Sequence, residues 1–226
     1  MNAGAVAASG ATASFFLNTR RLPLFAIIQA AGWPIWFLII ASVVAVALII
    51  ERFVALQKPK ILPPGLLSDV VKLHRGNQVS SEVLAKLEAN SPLGRVLAAG
   101  LRHVNSPREV MKTAIEETGS HVAHDLSRFL NTLGTIASAA PLMGLFGTVV
   151  GMIEIFGASG SGSGGANVQQ IAHGISVALY NTGLGILIAI PALIFYRYFR
   201  GKVDDFVVQM EQQAVRFVDV VHGDRK

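Results

Sequence analysis

Two apolar runs hold the side chains most open to chemistry: LNTLGTIASAAPLMGLFGTVVGMIEIF at 130–156 and IAHGISVALYNTGLGILIAIPALIFYRYF at 171–199. Their central polar groups are Thr148, Ser176, Tyr180, Asn181 and Thr182, and Glu154 is the one carboxylate within them. Hydroxyls and an amide can hold water or a carboxyl group by hydrogen bonds, yet they do not change charge themselves. A nucleophile beside a base, a pair of carboxylates or a cluster of metal ligands is missing from the pattern, and the chain has no cysteine. No enzyme, no cofactor and no metal site are therefore expected.

Each polar group has a bland reading and a functional one. A threonine in a helix can bond its own i−4 carbonyl. Thr148 and Thr182 instead come to one depth if their helices run antiparallel, and with Asn181, Ser176 and Tyr180 they would line a partly polar path. Asn181 has no cheap way to satisfy itself in lipid and is expected to face protein or water. Glu154 either reaches the headgroups or borders a hydrated path, since a carboxylate inside a membrane is costly. His173 reads as an interfacial anchor.

The elements that must position these groups are packed by small residues. Gly144, Gly147 and Gly151 lie close to one face of the earlier run, and Gly174, Ala178, Gly185 and Ala189 form a similar face, with Asn181, on the later one. Such faces let helices approach closely. Pro141 and Pro191 each interrupt a run, free an i−4 carbonyl and allow a slight kink.

Composition says where these helices sit. The 226 residues carry a net charge of +5, with 52% hydrophobic and only 15% charged side chains, against roughly a quarter charged in a soluble domain. The deficit is confined to 33–50, 130–153 and 174–196, which lack Asp, Glu, Lys, Arg and His altogether. At about 1.5 Å per residue each reaches across a core of about 30 Å, the first with help from interfacial residues. The expected fold is an all-α integral membrane protein: three transmembrane helices and a helical cytoplasmic domain built partly from helix extensions. Residues 1–19 lack the basic start of a signal peptide, so the first span reads as an anchor.

Orientation follows from Lys and Arg. Residues 51–129 hold 11 and 197–226 hold 6, whereas 157–170 hold none. The positive-inside rule puts the middle segment and the tail in the cytoplasm and the N-terminus outside. The divisions are then 1–31, a periplasmic arm with a short amphipathic helix; 32–52, the first span; 53–128, a cytoplasmic helical region; 129–156, the second span; 157–170, a Gly/Ser connector; 171–199, the third span; and 200–226, an amphipathic tail.

Within the middle segment, Pro63–Pro64–Gly65 breaks the chain before a short helix stopped by Gly76. Ser80 or Ser81 caps the next, and Ser106–Pro107 opens another that continues into the second span. In the tail, Val203, Val207, Met210, Ala214, Phe217 and Val221 recur at steps of three and four, one apolar stripe on a helix.

TIASAAPLMGLFGTVVGMI at 135–153 and GISVALYNTGLGILIAIPALIFY at 174–196 strongly resemble the ExbB/TolQ family of proton-driven motor subunits, more distantly MotA. The likeness covers roughly 30–205, and the N-terminal arm and long segment after the first helix look more like ExbB. The resemblance implies a bacterial inner-membrane homo-oligomer, a pentamer of three-span subunits, around a dimer of a single-span ExbD-type partner that brings an aspartate facing Thr148 and Thr182. It implies work passed to a TonB-type protein for transport across the outer membrane. Membrane lipids are further partners and nucleic acid is not. A TolQ-like role energising the Tol-Pal envelope system and a non-conducting scaffold are the alternatives. Many members carry a glutamate where this chain has Val177.

Overall fold

The computed structural model describes residues 32–76, 78–159 and 168–223. The proposed N-terminal arm with its amphipathic segment at 20–31, and the heart of the Gly/Ser connector at 160–167, lie outside the described residues. Eight helices are found among them: α1 (Ile35–Ala55), α2 (Lys58–Ile61), α3 (Leu66–Arg75), α4 (Ser81–Asn90), α5 (Pro92–Arg102), α6 (Arg108–Ser127), α7 (Leu130–Ser159) and α8 (Val168–Val221). Three stretches, Ile35–Ala55, Arg108–Gly157 and Ile171–Val221, are long and apolar enough to cross a membrane. The protein is an all-α membrane protein.

Local chemistry sets the helix ends. Gly65, at a φ of 82°, admits the left-handed turn that starts α3 after Pro63–Pro64. Ser80 caps α4 by accepting from the Val83 amide at 3.3 Å, and the buried Ser91 caps α5 by accepting from Gly94 at 3.0 Å, with Pro92 at the first helical position. KPKI at 58–61, just before the Pro63–Pro64–Gly65 breaker, forms one helical turn because Pro59 sits where no amide donor is needed. Pro107 stands at the N-cap of α6 rather than in its first turn. α6 continues into α7 through a two-residue irregularity at Arg128 and Phe129, where Arg128 keeps helical angles (φ −46°, ψ −48°) and its amide bonds to the Asp125 carbonyl at 3.3 Å.

The chain divides into two compact units, and α1, α7 and α8 each contribute to both. The first contains, among the described residues, 32–42, 138–159 and 168–189. Its small core joins Leu38, Ala140 and Ala189, with Met143, Leu184 and Ile188 packed on it. Trp33 lays its ring edge-on to Phe146 at 5.9 Å.

The second unit is formed, among the described residues, by 43–76, 78–137 and 190–223. Its core gathers α3 to α6 around the end of α8: Leu93, Leu97 and Leu101 from α5, Met111 and Ile115 from α6, and Phe206, Met210 and Phe217 from α8. The tail stripe expected from its spacing is the buried face, with Val203, Met210, Ala214 and Phe217 enclosed and Val207 and Val221 at its edge. At the end of α1 the buried Arg52 pairs with Glu51, donates to the Leu126 carbonyl at 3.0 Å and lies over the Phe129 ring at 5.0 Å. Sequence spacing gave no hint of this joint, since Leu126 and Phe129 lie more than seventy residues from Arg52.

Candidate functional site

In the first unit α7 and α8 run antiparallel with their glycines face to face. A β-carbon on Gly144 would stand 2.8 Å from the Asn181 carbonyl oxygen and 3.0 Å from the Thr182 Cα, and one on Gly185 would stand 2.6 Å from the Ala140 carbonyl oxygen. Gly147 faces Asn181, and Gly151 faces the Gly174 carbonyl and Ala178. Backbone therefore meets backbone where Gly144 faces Gly185 and where Gly151 faces Gly174, and between them Gly147 receives the Asn181 side chain, an approach that only small residues permit. Gly174 in turn accommodates the Ile155 side chain, and Ala178 and Ala189 are buried.

That register fixes the depth of the two threonines. Residue 147 stands opposite 181 and residue 151 opposite 174–178, so Thr148 and Thr182 fall within about two residues, roughly 3 Å, of one level. Both flank the glycine seam. The Thr182 hydroxyl donates across it to the Gly144 carbonyl at 3.3 Å, and the Thr148 hydroxyl donates to the Leu145 carbonyl at 2.6 Å on its own helix. Each oxygen keeps lone pairs able to accept a further hydrogen bond.

Asn181 corrects one expectation. Its amide does find a cheap local partner: Nδ2 donates to the Val177 carbonyl, four residues back, at 2.9 Å. The residue is completely buried, filling the space that Gly147 leaves. Ser176 likewise donates to the Ala172 carbonyl at 2.8 Å. Tyr180 is half-buried at the level of Thr148, and Glu154 and His173 are exposed near the α7 end and the α8 start. Val177 is buried, with Cγ1 3.9 Å from where a β-carbon on Gly32 would lie. Pro141 and Pro191 lie inside α7 and α8. No group of three or more His, Asp or Glu side chains able to hold a metal is present among the described residues.

A model of the MotA/TolQ/ExbB proton channel family matches residues 88–212, a stretch that includes the seam and both threonines. The chain belongs to the MotA/TolQ/ExbB family. It is 33% identical over 160 residues to a Synechocystis protein named biopolymer transport protein ExbB-like 3, covering 70% of this chain and 76% of that one. A second Synechocystis relative, ExbB-like 1, is 31% identical over 71% of this chain, which spans 64% of that relative's length. The Tol-Pal system protein TolQ of Haemophilus influenzae is 30% identical over 193 residues, covering 80% of this chain and 82% of that protein. The MotA/TolQ/ExbB family is one of proton channels rather than enzymes.

Proposed function

We propose that this chain is an ExbB-like subunit of an inner-membrane motor driven by proton-motive force, and that Thr148 and Thr182 face a carboxyl group supplied by a single-span, ExbD-type partner. The observation that carries this reading is the pair of hydroxyls at one depth beside the glycine seam, in spans holding no Asp, Glu, Lys, Arg or His at that level. A proton path across a membrane needs a group that changes charge, and here a second polypeptide must bring it. Both hydroxyl protons are already given to backbone carbonyls. What the oxygens offer is acceptance, which favours a protonated carboxyl or a bridging water over a bare carboxylate. The partner acid would then load its proton beside the threonines and release it where water replaces them.

In this reading five copies surround a partner dimer, the N-terminus is periplasmic, and the middle segment and tail are cytoplasmic, as the distribution of Lys and Arg favours. The work passes to a TonB-type protein for uptake across the outer membrane. The divisions are those drawn from the sequence, with 32–52, 129–156 and 171–199 crossing the bilayer. A TolQ-like role in the Tol-Pal system is the second reading, favoured by the likeness to the Haemophilus protein over 80% of the chain.

Purification of the intact complex in mild detergent, with native mass measurement, tests both. Five copies with two copies of a small single-span protein are expected, and the identity of that protein separates the ExbB-like from the TolQ-like role. Rings of this chain alone would favour a non-conducting scaffold and overturn the reading.

A further inference from the structure

The second unit contains a groove of about 870 Å³ between α6 and the last part of α8. The helices stay apart there because α6 presents Gly119, Ser120 and Ala123 where a close-packed helix would carry larger apolar groups, and a β-carbon on Gly119 would meet nothing within 4 Å. Its α8 wall is apolar, built from Val207, Met210, Ala214, Val215 and Val218, and Val215 is 51% exposed. On α6 the groove follows residues 109, 112, 116, 119–120 and 123, one face about 21 Å long. Such an elongated, apolar trough suits a helical segment with an apolar stripe.

The rim sets the charge of that segment. Two cations line the groove, Arg108 and Lys112, against four acids, Glu109, Glu116, Glu211 and Asp219. Arg108 is engaged by Asp219 at 2.9 Å, and Lys112 lies 3.7 Å from Glu116. Among the described residues no cation is paired with Glu109 or Glu211 at the edge of this apolar trough, a surplus of two negative charges that calls for Lys or Arg on the occupant.

We propose that this groove docks the basic cytoplasmic tail of the single-span partner, an inference that rests on the reading of the chain as one half of a two-component proton path. Where a short segment flanks a membrane span on the cytoplasmic side, it is enriched in Lys and Arg. An apolar stripe flanked by cations complements this apolar, acid-rimmed groove. Reach agrees as well: the α8 wall begins eight residues past Phe199, roughly 12 Å along the helix, and ends at Asp219, roughly 30 Å along it. About four extended residues cover the first 12 Å and about twelve helical ones the remaining 18 Å.

Photo-crosslinking tests the assignment. The full chain carrying p-benzoylphenylalanine at Val215 is expressed in its own host, irradiated in membranes and purified, and the crosslinked peptides are mapped by mass spectrometry. A Lys- or Arg-bearing peptide that precedes the partner's span is expected. The double change Glu109→Lys and Glu211→Lys should lower its yield about five-fold or more while the partner still co-purifies, and Glu82→Lys on α4 should leave it unchanged. A partner that co-purifies while the crosslinks run only to other copies of this chain, or a crosslink that survives the double change, overturns the docking site alone. If no single-span protein co-purifies, the proposed function and the docking site both fall.

Discussion

Gly185→Ala adds one methyl group at the closest approach of α7 and α8. Its carbon would sit 2.6 Å from the Ala140 carbonyl oxygen, 3.1 Å from the Gly144 Cα and 3.3 Å from the Gly144 nitrogen. Ordinary contacts between carbons lie near 3.5–4.0 Å, so the helix axes must part by roughly 1 Å. All three neighbours are backbone, and no rotamer change relieves them. Overpacking of this kind costs about 1–3 kcal/mol. Alanine also gains about 0.5–1 kcal/mol over glycine inside a helix, which partly masks the clash. Gly183→Ala removes that ambiguity: it lies two residues away on the same helix, with nothing within 4 Å of the added carbon. The difference between the two variants isolates the clash at about 1–3 kcal/mol. Reversible unfolding in detergent, by denaturant titration or steric trapping, measures it. Widening the seam also moves Gly144 from the Thr182 hydroxyl, already at 3.3 Å, so proton-coupled work should fall in Gly185→Ala and persist in Gly183→Ala. Equal stability of the two variants would refute the backbone-to-backbone account of the seam.

Three further outcomes follow from the second unit. Ser91→Ala removes a buried N-cap and should destabilise α5 by about 1 kcal/mol in the same unfolding assay, with Ser91→Asp, an equally good capping acceptor, avoiding most of that loss. Arg52→Leu leaves the Leu126 carbonyl without its donor and Glu51 without its cation, an expected loss of about 1–3 kcal/mol that Arg52→Lys restores only in part, because an ammonium cannot reproduce the planar fork. The Arg95 guanidinium, hydrogen-bonded to Asp125 at 2.8 Å, holds that carboxyl below its ordinary range. A lowered folded-state value means the pair stabilises above about pH 4 and its contribution is lost as pH falls through that lower value, so Asp125→Asn should flatten the acid limb of stability slightly, the pair being exposed.

The three spans were legible because the charge-free windows are as long as a bilayer is thick, and the tail because its stripe keeps one helical face over five turns. The cap at Ser80 or Ser81 was readable, since capping is local, whereas the cap at Ser91 was not singled out, although Pro92 after it carries the same local signal. Other features depend on residues far apart in the chain. α7 is apolar all round, so hydrophobic periodicity gives it no direction; only the spacing of Gly144, Gly147 and Gly151 pointed to its contact face. Spacing puts Asn181 on the matching face of α8, but a sequence does not show that Gly147 leaves room for its side chain or that the Val177 carbonyl is in reach. The joint at Arg52, the Arg108 pair with Asp219 and the open groove beside it join positions from 74 to 111 residues apart, beyond any short-range pattern.

The central claim is that Thr148 and Thr182 serve a carboxyl group which this chain does not itself possess. Proton flux through the purified complex of this chain and its partner, reconstituted in liposomes under an imposed gradient, tests it most directly. Thr148→Val and Thr182→Val each delete one acceptor, worth about 1–2 kcal/mol, so each should cut flux roughly ten-fold while the mass of the complex stays unchanged. Flux equal to the parent's in an intact complex of either variant would contradict the account.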